Sequence, residues 1–454
     1  MNPWLSGRRA GVLLHASSLP SGRLDADAWR WIDWLAEAGM SVWQMLPLGV
    51  PLSGVSPYQC ASAFALNPAL FPLELPAVRI SSRQCVEWRE RERAWIEDYA
   101  LFMTIREKYH NAPWVTWPEP LRLRKADALR EFAARHERAI ARHVRQQYQL
   151  FVHWQALRSH AAERGVALFG DMPLFVAHDS ADVWAHPECF LLDTRGQPTF
   201  VAGVPPDYFS PTGQRWGNPQ YAWNHLESDH FSWWCERLRY HFECFDLVRI
   251  DHFRGLVASW MIPASHDTAT EGYWQAVPGR ELLQQIHDLM GDLPLVAEDL
   301  GVITPDVNAL REQFGLPGMS VLQFAFDSFP DNPHKVENVD LDRVYYTGTH
   351  DNDTTAGWFD KLEAPVRADV MAALGVEQPG EVVAAMRMRV LSSRAALAML
   401  PMQDVLGLDG HARMNTPGTV YGNWLWRFGW EQLPAGLAAS LHAQLEQTGR
   451  LYHA

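Results

Sequence analysis

No basic stripe interrupts this chain, whose formal net charge is −14. Clustered Lys and Arg are what draw phosphate backbones and anionic lipid, so nucleic acid and membrane surfaces are poor partners. No apolar run reaches the roughly 18 residues that a membrane helix needs. The short apolar run after Arg8-Arg9 stops at His15, too soon for a signal-peptide core, and no clean small-residue cleavage site follows. Cysteine is sparse as well. Cys60, Cys85, Cys189, Cys235 and Cys244 are odd in number and include no C-x-x-C pair. They read as reduced thiols, which points to a cytoplasmic protein. There is no short-period repeat and no low-complexity stretch, and nothing calls for an obligate protein partner.

What is abundant is aromatic. The chain carries 21 Trp, 12 Tyr and 20 Phe within an otherwise ordinary globular composition of 47% hydrophobic and 20% charged residues. Most of these rings belong to a core. A surplus of flat rings with a polar handle also suits stacking on the apolar faces of sugars.

Eight apolar runs succeed one another, at residues 11–15, 41–48, 166–176, 245–248, 293–297, 321–326, 344–347 and 395–402. Helical or mixed stretches separate most of them. One such stretch runs from Trp29 to Gly39, where Trp31, Leu35 and Ala38 share a face and Gly39 suits a C-cap. A second covers residues 231–242. The alternation predicts an α/β fold, a (β/α)8 TIM barrel with helical and loop insertions. The whole chain, 1–454, reads as a single catalytic barrel domain. Residues 73–165 are expected to form a predominantly helical insertion, broken at Pro113-Trp114 and Trp117-Pro118. Residues 193–224, rich in Gly, Pro and aromatics, are expected to form an irregular loop insertion, and a loop this long within a compact domain is usually functional.

Three apolar runs end in acids: Asp251, Glu298 and Asp351. Their escorts are Arg249 and His252, Asp299, and His350 with Asn352. Catalytic groups of a parallel barrel sit where strands end, so all three acids should face one pocket. A single such cluster could be a surface ion-pair group. Several carboxylates with imidazoles, an arginine and many aromatics fit glycosidic bond cleavage better. That reaction needs one carboxylic acid to protonate the leaving oxygen and one carboxylate to attack the oxocarbenium-like centre. A Glu crowded by Asp299 and partly desolvated would have a raised pKa, as an acid requires. An Asp beside Arg249 would stay ionised, as a nucleophile requires. The rival chemistry is a metal site built from His15, Asp171, His252, His350 and Asp351. The H-x-H pair expected at a first strand is missing, since Ala16-Ser17 follow His15. No metal and no cofactor are therefore expected.

Six ordered blocks and a seventh near the end resemble the amylomaltase (4-alpha-glucanotransferase, disproportionating enzyme) family, related to the alpha-amylase barrels. They are Ser56-Pro57-Tyr58-Gln59, Gly170-Asp171-Met172-Pro173, residues 203–219, residues 248–255, Ala297-Glu298-Asp299-Leu300-Gly301, residues 347–354, and Asn423-Trp424-Leu425-Trp426-Arg427. The resemblance implies Asp251 as the nucleophile, Glu298 as the general acid/base and Asp351 as the carboxylate that holds sugar hydroxyls. It implies substrate contacts from Tyr58, Asp171, Arg249, His252, His350 and Asn352, and a groove-flanking loop with Asp207, Tyr208, Gln214 and Trp216. The implied partners are alpha-1,4-glucans and maltooligosaccharides. The implied reaction is retaining transfer of a glucan segment to the 4-hydroxyl of an acceptor. The chain departs from the family in a shorter loop after its first strand, a shorter helical insertion, and Val336-Glu337-Asn338-Val339 in place of a proline-histidine-asparagine-tyrosine run. Two alternatives share these residues: a hydrolase with water as acceptor, and a silent glucan-binding protein.

Overall fold

Eight short parallel strands lie side by side: β1 (Arg9–Leu13), β2 (Val42–Gln44), β3 (Ala167–Pro173), β4 (Leu247–Asp251), β5 (Leu295–Ala297), β6 (Gly318–Val321), β7 (Arg343–Tyr346) and β8 (Leu397–Pro401). Their order, β6-β7-β8-β1-β2-β3-β4-β5, follows the chain cyclically, and helices intervene. This is the (β/α)8 barrel. The computed structural model describes residues 7–52, 54, 56–75, 82–206 and 210–452.

Strand side chains alternate between faces, and here that period sorts the core. Phe169, Leu247, Val296, Tyr346 and Met399 share the barrel interior. Their strand neighbours Leu168, Val248, Leu295, Tyr345 and Ala398 pack outward beneath the helices. Full burial of such an aliphatic side chain is worth roughly 1.5–3 kcal/mol.

The ladder between β5 and β6 is replaced by other bonds. Ala297 N donates to Pro317 O at 2.8 Å. The Asp299 carboxylate accepts from Met319 N at 2.7 Å and from Arg343 Nη1 at 2.6 Å. Gly318 makes room for this, because a Cβ there would lie 2.4 Å from Asp299 Oδ2. A side-chain acid therefore stitches the last seam of the barrel.

The helix after β1 spans Ala26–Glu37, capped by Asp25 accepting from Asp27 N, with Trp31, Ile32 and Leu35 buried. It stops at Gly39, whose φ of +74° is the left-handed conformation glycine adopts readily. Between β2 and β3 lie the helices Arg83–Arg91, Ile96–Lys108, Ala126–Arg135 and Glu137–Glu163, with a 3-10 turn at Trp114–Thr116 where the prolines fall. The helix before β4 is Ser232–Cys244.

Two expectations fail. The sixth strand begins three residues before its apolar run: β6 is Gly318–Val321, and Leu322–Phe324 is a 3-10 turn. That turn is held by Gln323, whose backbone N donates to Thr347 O and whose Nε2 donates to Asp353 O. The segment read as irregular contains two strands, Phe200–Val204 and Gln214–Pro219, in an antiparallel sheet with Ala258–Pro263 and Tyr273–Ala276. Sequence-distant pairing with residues 258–263 supplies the order that the local composition lacks.

Candidate active site

Period-two alternation carries the interior face of the barrel into its mouth. Phe169 precedes Asp171 by two residues on β3, Leu247 precedes Arg249 and Asp251 on β4, and Val296 precedes Glu298 beyond β5. The register sets them level. Asp171 pairs with Arg249, and Ile250 with Ala297, so Asp251 and Glu298 are the next residues on adjacent strands.

Arg249 is 5% exposed and divides its guanidinium between two acids. Nη1 donates to both oxygens of Asp171 at 2.8 and 2.9 Å, and Nη2 to Asp251 Oδ1 at 2.8 Å. Burial works against charge on Arg249, but Asp171 and Asp251 outweigh it and raise its pKa further. Burial also pushes the Asp171 carboxyl up, against the pull of Arg249. Both Asp171 oxygens serve as acceptors from Nη1, and Tyr58 Oη donates to Oδ2 at 2.6 Å. Having given its proton there, Tyr58 accepts from His350 Nε2 at 2.8 Å.

Glu298 has both carboxyl oxygens on backbone amides: Oε2 accepts from His252 N at 2.7 Å and Oε1 from Leu300 N at 3.0 Å. To aim its amide that way, His252 adopts φ +56°, ψ +51°. That left-handed conformation costs a non-glycine residue roughly 1–2 kcal/mol. Burial pushes the Glu298 carboxyl up to about 7, with Asp251 adding to the rise while Arg249 and the two amides oppose it. Asp299 plays no part. Adjacent residues of an extended segment face opposite sides, and Asp299 points into the β5–β6 seam toward Arg311 and Arg343. The expected rise at Glu298 is present, but its cause is burial and Asp251.

Asp351 lies on the rim, its side chain 47% exposed and 3.5 Å from His350 Nε2. Asn415 Nδ2 donates to its Oδ1 at 2.6 Å, and Arg413 Nη2 to its backbone oxygen at 2.6 Å. One relay of contacts thus joins Asp351, His350, Tyr58, Asp171, Arg249 and Asp251. Trp424, whose φ is +66°, closes it from the side, with its ring 5.8 Å from Tyr58 and 6.0 Å from His350. Beside Asp351 opens a cleft lined by His15, His350, Asn352, Gln403, Arg413 and Trp426. Asn352 faces it while its Oδ1 closes the turn by accepting from Thr349 N and Oγ1.

On the other side, the Trp216 ring stands edge-on to His252 at 4.9 Å and donates from Nε1 to Gln214 Oε1 at 3.2 Å. Burial pushes the His252 imidazole down to about 4, with Asp251 opposing. Asp207 and Tyr208 lie outside the described residues. Of the residues considered as metal ligands, Asp171 is already engaged by Arg249 and Tyr58, and His350 by Tyr58.

Asn415, Arg413 and Trp424 were not singled out as site residues from sequence. Asn423-Trp424-Leu425-Trp426-Arg427 was visible as a block. That its first tryptophan packs on Tyr58 follows only from the tertiary fold.

The family described as 4-alpha-glucanotransferase matches residues 13–82 and 75–432. A 4-alpha-glucanotransferase of Thermus thermophilus is 46% identical over 98% of this chain and 99% of its own. One from Synechocystis sp. is 42% identical over 99% of each chain. A solved structure, the amylomaltase from Streptococcus agalactiae in complex with acarbose, superposes with a TM-score of 0.92 at 31% identity, covering 98% of this chain and all of that one. The amylomaltase resemblance and the barrel expectation both hold, and the chain belongs to the 4-alpha-glucanotransferase family.

Proposed function

We propose that this enzyme is a retaining 4-alpha-glucanotransferase acting on alpha-1,4-glucans and maltooligosaccharides through a covalent glucosyl-enzyme. The observation that carries the mechanism is the pairing of unlike carboxyl groups on adjacent strand ends. Glu298 is pushed up to about 7, so it holds a proton to give near neutral pH. Asp251 sits beside it, with Oδ1 anchored by Arg249.

Glu298 gives its proton to the glycosidic oxygen as the bond to the anomeric carbon breaks. Asp251 Oδ2 attacks that carbon and forms an ester, and the shortened glucan leaves with its new hydroxyl. An acceptor's 4-hydroxyl then gives its proton to Glu298 and attacks the same carbon, releasing Asp251. Two inversions give net retention. Asp351 holds hydroxyls of the cleaved glucose unit, positioned by Asn415. Tyr58, Asp171, Arg249 and His350 shape the floor under that unit. His252, Asn352, Gln214 and Trp216 contribute the groove walls.

The whole chain acts as one catalytic unit, with residues 73–165 and 193–224 as excursions from the barrel. No helix among the described residues is long and apolar enough to cross a membrane, and all five thiols are free, which suits the cytoplasm.

The test is the product pattern from maltotriose. Transfer yields a ladder of longer and shorter maltooligosaccharides. Glucose and maltose alone would mean hydrolysis, and no product at all would leave only a glucan-binding role.

A further inference from the structure

Cys189 ends a 3-10 turn, Pro187–Cys189, that packs against the short helix Trp223–Ser228. There a carboxylate oxygen of Glu188, the Cys189 thiol and an imidazole nitrogen of His225 all lie within 4.8 Å of one another. We propose that these three side chains form a binding site for a single zinc ion. None of them belongs to the glucan-transfer machinery.

The donor set selects the metal. A thiolate and an imidazole favour Zn²⁺ over Mg²⁺ or Ca²⁺, which prefer oxygen ligands alone. Bond lengths of about 2.3 Å to sulfur and about 2.0–2.1 Å to nitrogen place tetrahedral donors about 3.3–3.6 Å apart, so donors now within 4.8 Å close up by up to about 1.5 Å, through rotation of the exposed Glu188 and His225 side chains. Water takes the fourth position, because Glu188 and His225 are exposed.

The thiol supplies an independent indication. Cys60 and Cys235 each donate to a backbone oxygen, Pro57 O at 3.1 Å and His230 O at 3.9 Å. Cys189 is only 3% exposed, yet its thiol has no hydrogen-bond partner among the described residues. Buried Cys85 lacks one among them as well, so what singles out Cys189 is the carboxylate and the imidazole beside its unpartnered sulfur. His186 Nδ1 lies 3.4 Å from Glu188 Oε1 and orients that carboxylate, the outer partner that metal-bound groups commonly have. On binding, the thiol proton passes to solvent and zinc takes its place.

The site joins the two ends of the excursion that carries Trp216. Leu191 N donates to Gln220 O and Ala222 N to Cys189 O, both at 2.8 Å. A metal there fastens the neck of the segment against which the groove is built.

The test is Co²⁺ titration of chelator-treated enzyme, read by thiolate-to-cobalt charge-transfer absorbance. One equivalent should bind with that band in wild type and in Cys60→Ser. The band should vanish in Cys189→Ser. His225→Ala, a surface change that leaves the fold alone, should weaken binding at least about tenfold. Zn²⁺ should displace the cobalt and raise the melting temperature of wild type by more than it raises that of His225→Ala at the same concentration. A wild-type enzyme without the band, or a band that His225→Ala leaves at full affinity, overturns the site.

Discussion

Glu298 is tied to His252 by a 2.7 Å bond from the histidine's backbone amide, so the proposed acid is anchored to the residue that follows the proposed nucleophile. A shift of the β4 end would move both carboxyl groups together. The spacing between acid and nucleophile is thereby protected from motion of the loops around the groove, at the cost of a left-handed His252.

The first prediction concerns pH. Glu298 has to be protonated to act as the acid, and its folded-state value is about 7. The kcat/KM profile should therefore fall above a break near pH 7, by about tenfold for each further unit. The linked stability effect has the same direction. The unfolded chain ionises this group from its ordinary value of 4.5, before the folded enzyme does. Between those values the native state binds the extra proton, so stability from this group declines as pH rises from 4.5 to about 7 and stays lower above. A kcat/KM profile flat through about pH 9 would remove Glu298 from the acid role.

Arg249→Ala should both destabilise and inactivate. Asp171 is 2% exposed and takes two bonds from Arg249, so the variant leaves a buried carboxylate without its cation. Removing one partner of such a pair costs about 3–5 kcal/mol, measurable by denaturant titration. A loss under about 1 kcal/mol would mean that the pair is solvated as a surface bridge is.

Asp299→Asn makes the opposite prediction to any change at its neighbour. Asp299 stitches β5 to β6 through Met319 N and Arg343, with its side chain 1% exposed. Stability should fall by about 3–5 kcal/mol while kcat of the folded enzyme is unchanged. Glu298→Gln should instead lower kcat about 10²–10⁴-fold with the fold intact. Comparable kcat losses in the two variants would show that the adjacent acids act together.

That contrast also marks how far the sequence reads. Asp251, Glu298 and Arg249 are visible as charges that end apolar runs, and alternation from Leu247 and Val296 sends them into the barrel mouth. Adjacency in sequence suggests that Asp299 crowds Glu298. The same alternation puts them on opposite faces. Asn415 and Trp424 reach Asp351 and Tyr58 from loops beyond the last strand, a placement no local pattern encodes. The strands at 200–204 and 214–219 exist because a partner at 258–263 pairs with them, and their own Gly- and Pro-rich composition argues against them.

The central claim is that Asp251 becomes covalently bonded to glucose. The direct measurement is intact-mass and peptide mass spectrometry of Glu298→Gln after rapid quenching with maltosyl fluoride. Fluoride departs without a proton, whereas release of the ester needs Glu298 as base, so the glycosyl-enzyme should accumulate. The account predicts an adduct of one maltosyl unit on the peptide that contains Asp251, absent when Asp251→Asn is added to the same enzyme. An adduct on any other residue, no adduct at all, or near-normal maltotriose turnover by Asp251→Asn alone would contradict it.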